Sequence, residues 1–376
     1  MLSIEFMFPE LKPFQRDALL SLNQNFHTVL VAATGSGKSL VFQKYLYDFR
    51  SSTRAIIVTP LNALARQIAD GLKQIQLNVK LGVGRVGEPP PTGSGVWIVS
   101  PEKIFSPGGF SKARAWQPNL MIVDEAHCVW EWGAEFRPDF SRLPGLVSDL
   151  KIKKTFWCSA TLPGPALNAI SQGLPSEPYR IGRFSIPVQL RIERMEIPSH
   201  RKLILLRNLL GQTKSSSGMI FVSTRASAER LRLYLKNWGF PAMFYHAGMS
   251  PEERVILETK LSKQDPLEPI WVVATSAFGM GMNYPFLKTC ILFEPSLSLL
   301  ALAQALGRVA RGSESAGAYV FWHEDDFRNL RAMMSPGSTG IQRLNEVKTW
   351  CATHSCPKQF LENYFNAGEI SGTFDK

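Results

Sequence analysis

The sequence is poor in cysteine and has no long run of apolar residues. Its 376 residues include five cysteines, an odd number that lie mostly far apart, which argues against a disulfide framework. No stretch reaches the ~18 consecutive apolar residues that a membrane-spanning helix needs. The N-terminus lacks a basic segment leading into an apolar run, so we predict no secretory signal. We therefore expect a cytoplasmic protein with no membrane partner.

Internal repeats and a disorder-promoting composition are also absent. Hydrophobic residues make up 45% of the chain and charged residues 19%, which is ordinary for a packed globular protein. A domain takes roughly 100 to 200 residues, so the length predicts two domains and a short extra segment.

Acidic residues are outnumbered by basic ones. The chain has 31 Asp and Glu against 42 Lys and Arg, a net charge of +11, and most of the excess lies in residues 1–194. This balance predicts a polyanionic partner, nucleic acid before anionic membrane. A merely basic surface remains the open alternative.

Short apolar, β-rich runs alternate with amphipathic stretches along the chain. This pattern predicts an α/β fold in which parallel sheets are flanked by helices. The predicted strands are 28–32, 55–59, 95–100, 120–124 and 155–158 in the first half, then 218–223, 242–245, 270–275, 289–293 and 318–321. A proline-containing connection lies between the two sets. We predict domains at 1–194 and 195–330, followed by a short helical extension at 331–376.

Residues 32–39, Ala-Ala-Thr-Gly-Ser-Gly-Lys-Ser, follow a predicted strand and open a predicted helix. In that context the pattern indicates a phosphate-binding loop, because glycines let backbone N–H groups approach phosphate oxygens at a helix N-terminus. Lys38 is expected to reach the β- and γ-phosphates of ATP, and Ser39 to bind Mg²⁺. The predicted contacts are Thr34, Gly35, Ser36, Gly37, Lys38 and Ser39.

An acidic pair ends the apolar run 120–124. Asp124 is the predicted partner of Mg²⁺, and Glu125 is predicted to orient and deprotonate the attacking water. Together with the phosphate loop, this pair predicts hydrolysis of a nucleoside triphosphate.

Asp-Glu-Ala-His at 124–127 is the box of superfamily-two helicases, and the neighbouring segments resemble RecQ-type DNA helicases in their order. Residues 8–15, Phe-Pro-Glu-Leu-Lys-Pro-Phe-Gln, are similar to that family's adenine-reading segment. The resemblance implies base contacts from Phe8, Lys12 and Gln15, and the Gln15 amide offers the donor and acceptor that an adenine edge requires.

Three further segments resemble family motifs that hold nucleic acid or transmit hydrolysis. Residues 59–61, Thr-Pro-Leu, and 100–102, Ser-Pro-Glu, are similar to the segments that hold the tracking strand, which implies contacts from Thr59, Pro60 and Ser100. Residues 159–161, Ser-Ala-Thr, resemble the motif that couples hydrolysis to strand movement. The implied coupling residues are His127, Ser159 and Thr161.

Residues 124–140 look like the aromatic-rich loop of RecQ proteins. Their aromatic rings and one guanidinium could stack with unpaired bases, each contact worth about 1 to 3 kcal/mol. The candidates are Trp130, Trp132, Phe136 and Arg137. Phe140 is expected to be buried.

The second half resembles the same family at residues 221–225, 245–249, 274–283 and 304–311. The resemblance implies two tandem RecA-like domains, the second of which offers Arg308 and Arg311 to the γ-phosphate. Gln304 is expected to help position water or phosphate. Candidates for nucleic-acid contact in this half are Thr224, His246 and Thr275.

The chain departs from the family at several positions. It has Asn283 and Ala305 where RecQ proteins usually have Asp and Glu, and no Asp follows Arg311. Residues 350–365 resemble the opening of a zinc-binding subdomain with Cys356 at a ligand position. A structural zinc site needs four ligands, and Cys351, His354 and Cys356 supply only a partial set, so we do not expect zinc.

The sequence therefore predicts a monomeric RecQ-like ATPase that uses ATP and Mg²⁺ and acts on single-stranded and partly duplex DNA. The family implies movement in the 3′-to-5′ direction. Two alternatives remain open: an RNA-directed helicase or a translocase that does not separate duplexes, and a nucleic-acid-binding module whose ATPase is vestigial.

Overall fold

The computed structural model describes residues 8–24, 27–84, 87–132, 137–213, 217–265, 268–275, 284, 286–309, 315–335 and 338–367. The chain divides into two compact units. The first consists of Met1–Ser185 together with Tyr364–Lys376, and the second is Ile186–Asn363. Among the described residues, no helix has both the length and the apolar character needed to cross a bilayer.

A seven-stranded parallel sheet forms the centre of the first unit. Its strands lie in the order β3-β4-β2-β5-β6-β1-β7. They are β1 His27–Val31, β2 Arg54–Val58, β3 Val79–Gly82, β4 Gly95–Val99, β5 Leu120–Asp124, β6 Lys154–Ser159 and β7 Tyr179–Ile181. β1, β2, β4 and most of β5 and β6 are buried, as expected for strands covered by helices on both faces.

In the part of this unit that the structure describes, eight helices connect or cover these strands. They are α1 Pro13–Asn23, α2 Lys38–Asp48, α3 Asn62–Gln74, α4 Pro101–Phe105, α5 Pro107–Trp116, α6 Cys128–Glu131, α7 Leu143–Asp149 and α8 Gly164–Gly173, with a 3₁₀ turn at Pro138–Phe140. Prolines stand in the first turn of several of them, where the missing N–H costs no hydrogen bond.

The second unit has a six-stranded parallel sheet in the order β10-β11-β9-β12-β13-β8. Its strands are β8 Leu190–Glu196, β9 Ser217–Phe221, β10 Ala242–Tyr245, β11 Trp271–Ala274, β12 Leu287–Leu292 and β13 Ala316–Trp322. Its helices are α9 Ser199–Gln212, α10 Arg225–Asn237, α11 Pro251–Ser262, α12 Leu299–Leu306, α13 Glu324–Ala332 and α14 Thr339–Ala352, followed by α15 Pro357–Asn366, which ends in the first unit.

The α/β class and the parallel sheets predicted from the sequence are confirmed. All ten predicted strands exist, but three strands were not predicted: β3, β7 and β8. β8 crosses the predicted boundary at 194/195 and pairs with β13, so the change of unit lies earlier, between Ser185 and Ile186. The predicted extension at 331–376 supplies α14, whose Leu344, Val347 and Trp350 are buried.

Gly182 follows β7 with φ at +74°, and a Cβ atom there would lie 2.2 Å from the carbonyl oxygen of Val31 at the end of β1. We expect Gly182→Ala to lower the free energy of unfolding by at least about 2 kcal/mol. The alanine would have to adopt a left-handed backbone conformation, and its Cβ atom would clash with the Val31 carbonyl. Gly145→Ala in α7 is the control, because nothing lies within 4 Å of its added Cβ. Urea denaturation of both variants measures the effect, and equal stabilities would contradict it.

Candidate ATP and nucleic-acid site

The phosphate loop joins the carboxyl end of β1 to the first turn of α2. Gly35 and Gly37 have φ of +76° and +92°, a left-handed conformation that glycine adopts without strain. The ammonium of Lys38 donates hydrogen bonds to the carbonyl oxygens of Ala32, at 2.9 Å, and Ala33, at 3.1 Å. The lysine is thereby held over the loop that is predicted to receive the phosphates.

Residues at the start of α1 are hydrogen-bonded directly to this loop. Gln15 is buried, its Nε2 donates to the Gly37 carbonyl at 2.9 Å, and its Oε1 accepts from the Lys12 N–H at 2.8 Å. The Lys12 ammonium also donates to the Ser36 carbonyl, at 3.4 Å. Two residues of the predicted adenine segment thus contact the phosphate loop, and their contact with a base stays a prediction.

Phe8, the third residue of that segment, packs against α2. Its ring centroid lies 5.4 Å from that of Tyr47, and the Lys44 ammonium lies 5.7 Å from the Phe8 ring. The sequence motif did not identify these two neighbours.

Asp124 and Glu125 lie at the carboxyl end of β5. The Glu125 N–H donates to Asp124 Oδ1 at 3.0 Å, and the Cys158 thiol donates to the same oxygen at 3.3 Å. Burial, followed by the negative charge of Glu125, raises the pKa of Asp124 to about 6, while Lys38 acts in the opposite direction. The raised pKa indicates a carboxylate that is costly to keep ionised in the absence of a cation.

The donor set at this edge suits Mg²⁺, which prefers hard oxygen ligands and usually takes only one or two carboxylates from the protein. The partly buried Asp124 carboxylate lies close enough to Lys38 for the lysine charge to lower its pKa. Ser39 stands in the first turn of α2, directly after that lysine. These residues therefore fit the predicted metal.

The three predicted coupling residues are connected by hydrogen bonds. His127 Nδ1 lies 2.9 Å from Ser159 Oγ and 3.3 Å from Glu125 Oε2. The Ser159 hydroxyl donates to the Thr161 carbonyl at 2.6 Å. His127, Ser159 and Thr161 are all buried. The predicted catalytic carboxylate is therefore connected to the Ser-Ala-Thr segment through one side chain, that of His127.

Arg137 connects the three segments predicted to hold nucleic acid. Its Nε and Nη2 donate to the two carboxylate oxygens of Glu102 at 2.5 and 2.7 Å, and its Nη1 donates to the Pro60 carbonyl at 2.5 Å. A bidentate pair of this kind is strong and geometrically specific. The sequence predicted that the Arg137 guanidinium contacts unpaired bases, and in this structure its positive charge is paired with Glu102.

The aromatic residues of this loop differ in exposure. The Trp132 ring packs edge-on against buried Phe140, with centroids 5.7 Å apart, and the Arg137 guanidinium lies 5.6 Å from the Trp132 ring. Trp130 is 40% exposed and presents the more accessible ring. Phe140 is buried as expected, whereas Phe136 lies outside the described residues.

Thr59 and Ser100 use their hydroxyls differently. Ser100 caps α4 by accepting from the Lys103 N–H at 3.3 Å. The Thr59 hydroxyl is buried and has no partner among the described residues. A role for either residue in holding nucleic acid stays a prediction.

In the second unit, the candidate contact residues follow the carboxyl ends of neighbouring strands. Thr224 caps α10 by accepting from the Ser227 N–H at 3.1 Å, and His246 Nε2 lies 2.9 Å from Glu229 Oε1. The Thr275 N–H donates to the Tyr245 carbonyl at 3.2 Å.

The phosphate-contact candidates of the second unit are described only in part. Gln304 lies in α12, and Arg308, just beyond it, is buried. Arg311 and Asn283 lie outside the described residues. The roles of Gln304, Arg308 and Arg311 stay predictions.

The cysteines at the start of the zinc-like segment lie in different environments. Cys351 is buried at the end of α14, and Cys356 is exposed just before α15. Within the described residues, no three His, Cys, Asp or Glu side chains are arranged to hold a metal ion.

Glu102→Gln should lower the free energy of unfolding by about 1 kcal/mol at neutral pH, because the pair with Arg137 is only partly buried. Burial is the largest single influence and acts to raise the pKa of Glu102, but the hydrogen bonds from Arg137, from a backbone N–H and from Ser100, together with the charge of Arg137, outweigh it, so the pKa is lowered. A lowered carboxyl pKa stabilises the fold above the ordinary value near 4.5, and this contribution is lost as the pH falls through the folded-state pKa.

Denaturant unfolding at neutral and acidic pH tests this expectation. The difference between Glu102→Gln and the original protein should shrink in acid, and the exposed Glu177→Gln should show little difference at either pH. A Glu102→Gln effect that persists unchanged in acid would show that the carboxylate charge is not the cause.

Both halves of the chain match models of helicase families. Residues 12–170 match the DEAD/DEAH box helicase model, and residues 201–313 match the helicase conserved C-terminal domain. The ATP-dependent DNA helicase RecQ of Pasteurella multocida is 28% identical over 364 residues, covering 90% of this chain and 55% of the relative. The ATP-dependent DNA helicase Q1 of Pongo abelii is 26% identical, covering 96% and 58%. The chain thus spans less than two thirds of these relatives.

Solved structures share the fold at lower identity. The S. cerevisiae protein Dbp5 bound to RNA and ADP BeF3 has a TM-score of 0.65 at 18% identity, covering 87% of this chain and 88% of that one. The DEAD-box helicase Mss116 bound to ssRNA and UDP-BeF has a TM-score of 0.67 at 18% identity, covering 90% and 78%. These matches assign the two parallel sheets to RecA-like domains. The chain therefore belongs to the DEAD/DEAH box helicases, and the relatives it resembles are ATP-dependent DNA helicases of the RecQ and Q1 type.

Proposed function

We propose that this chain is an ATP- and Mg²⁺-dependent DNA motor that moves 3′-to-5′ on single-stranded DNA and separates duplexes. The observation that carries the proposal is a chain of contacts: the Glu125 carboxylate lies 3.3 Å from His127 Nδ1, and hydrogen bonds connect His127 to Ser159 and Ser159 to Thr161. An ordinary nucleotide-binding fold has no need to link its water-activating carboxylate to a segment that is similar to a coupling motif. A binding module with a vestigial ATPase would have no use for the intact Lys38, Asp124 and Glu125.

The first unit supplies the groups that hydrolysis requires. Lys38 exchanges its bonds to the Ala32 and Ala33 carbonyls for bonds to phosphate oxygens when ATP binds. Ser39 and Asp124 would hold Mg²⁺, and the bound ion would supply positive charge to the phosphate oxygens. Glu125 orients the attacking water and accepts its proton.

DNA is the favoured substrate because the relatives that match most of this chain are DNA helicases by name. Trp130, with its exposed ring, and Trp132 are the proposed stacking residues, beside strand contacts from Thr59, Pro60 and Ser100. The experiments below distinguish this proposal from the two alternatives, an RNA-directed helicase and a translocase that does not unwind duplexes.

The proposal is tested by measuring the steady-state rate of ATP hydrolysis under three conditions: without nucleic acid, with single-stranded DNA and with single-stranded RNA. All three are measured at one stated salt concentration. We expect strong stimulation by DNA and weak stimulation by RNA. Lys38→Ala should abolish hydrolysis, lowering it by at least about 100-fold, because phosphate positioning and charge stabilisation are lost together. Lys73→Ala on the exposed side of α3 is the matched control and should hydrolyse ATP normally.

Stimulation by RNA alone would show that the substrate is RNA and not DNA. ATP hydrolysis retained in Lys38→Ala would show that the phosphate loop does not take part in the reaction. A 3′-tailed duplex and a 5′-tailed duplex then separate unwinding from translocation and report direction. Hydrolysis without strand separation on either duplex would leave a translocase.

Cys158 is a positioning residue that the sequence motifs did not reveal. Its thiol donates to Asp124 and acts to lower that carboxyl's pKa, so removing it favours the protonated form, which binds Mg²⁺ poorly. Cys158→Val should raise the Mg²⁺ concentration for half-maximal hydrolysis by about two- to fivefold, whereas Cys158→Ser retains a donor and should stay near the original value. Equal Mg²⁺ requirements in all three proteins would show that the thiol does not act on Asp124.

A further inference from the structure

Helices α9 and α10 of the second unit carry an unbalanced set of charges. Apart from Lys202, whose buried ammonium pairs with Asp326, their basic residues are Arg201, Arg207, Arg225, Arg230, Arg232 and Lys236. Their only acidic residue is Glu229, which contacts His246. The basic excess of the second half is therefore concentrated on one pair of helices.

The two helices lie side by side on one face of the second sheet. Leu206, Leu209 and Leu210 of α9 and Leu231 and Leu235 of α10 enter the same apolar cluster. The opposite faces of both helices are turned to solvent, and Arg201, Arg207, Arg230 and Lys236 are exposed there. Within the described part of the chain, Arg201, Arg230 and Lys236 take part in no ion pair.

Aromatic rings interleave with these charges at the C-terminal end of α10. The Arg207 guanidinium lies 5.9 Å from the Trp238 ring, whose centroid is 5.9 Å from that of Tyr234 with the planes tilted by 30°. Tyr234 is 39% exposed and its neighbour Leu233 is 53% exposed. Exposed apolar surface of this kind beside unpaired arginines suits a ligand that has both flat bases and phosphates.

This surface is distant from the residues already proposed to hold the tracking strand in this unit. Thr224 caps the first turn of α10, whereas Tyr234 and Trp238 lie at its other end, where β10 begins. A helix of 13 residues is about 20 Å long, so the two places are separated by several nucleotides of extended strand.

We propose that the exposed faces of α9 and α10, centred on Arg207, Arg230 and Tyr234, form a second contact surface for single-stranded DNA. The arginines bind phosphates and the Tyr234 ring stacks with an unpaired base. The inference rests on the proposed function, because it assumes that DNA is the polyanion this chain binds. It adds a surface that none of the motif residues occupies.

Binding of oligonucleotides of two lengths tests the inference. A short oligonucleotide of about 10 nucleotides fills the motif residues alone, and one of about 30 nucleotides extends to the second surface. Fluorescence anisotropy should show that Arg207→Gln with Arg230→Gln weakens binding of the long oligonucleotide about 10-fold and lowers the slope of log affinity against log salt by about 1.4. Binding of the short oligonucleotide, and the ATPase activity that it stimulates, should stay unchanged.

Two further variants separate specific contact from general charge. Lys260→Gln with Lys263→Gln removes the same charge from exposed positions in and just after α11 and should leave binding of the long oligonucleotide unchanged. Tyr234→Ala should weaken binding of the long oligonucleotide. It should not change the slope of log affinity against log salt, because stacking involves no counterion release. The proposal of a second surface would be wrong if the lysine variant lost as much affinity for the long oligonucleotide as the arginine variant. It would also be wrong if the arginine variant lost none. Failure of the original protein to bind single-stranded DNA of either length would overturn the proposed function as well.

Discussion

The cost of burying the Asp124 carboxylate sets the arrangement of the groups around it. An ionised carboxylate that leaves water loses several kcal/mol unless other groups take over its solvation. The backbone of Glu125 and the thiol of Cys158 donate to it, and the Lys38 ammonium opposes the rise of its pKa. These groups come from β5, β6 and the loop after β1, which are neighbours in the sheet. The site therefore requires this strand order, because only adjacent parallel strands bring those three carboxyl ends together.

Arg137 stabilises its surroundings by a different means. It binds Glu102 and the Pro60 carbonyl, so three segments far apart in sequence depend on one guanidinium. Its charge is balanced locally and adds little long-range attraction for phosphates. The exposed arginines of α9 and α10 differ in this respect, since their fields extend into solvent. Under the proposal for α9 and α10, arginine thus serves two purposes in this chain: it connects segments in the first unit and attracts phosphates in the second.

Sequence patterns predicted the buried strands well and the edge strands poorly. β1, β2 and β4 contain consecutive apolar residues, at 29–31, 55–58 and 96–99, that are buried because helices cover both of their faces. β8 has the sequence Leu-Arg-Ile-Glu-Arg-Met-Glu and stands at a sheet edge with several exposed side chains, so its composition resembles that of a connection. Motifs likewise identified Lys38, Asp124 and Glu125, whose chemistry is local. They could not reveal Cys158, because its role arises only when β6 pairs with β5.

The hydroxyl of Ser159 has a single proton, and that proton is donated to the Thr161 carbonyl. Ser159 can therefore only accept from His127, whose Nδ1 must carry the hydrogen of that bond, and Glu125 Oε2 lies 3.3 Å from the same nitrogen. In the proposed reaction Glu125 takes a proton from water, which removes the negative charge that faces this imidazole. The chemical state of the proposed base would then reach the Ser-Ala-Thr segment as a change in the electrostatic environment of a single histidine ring.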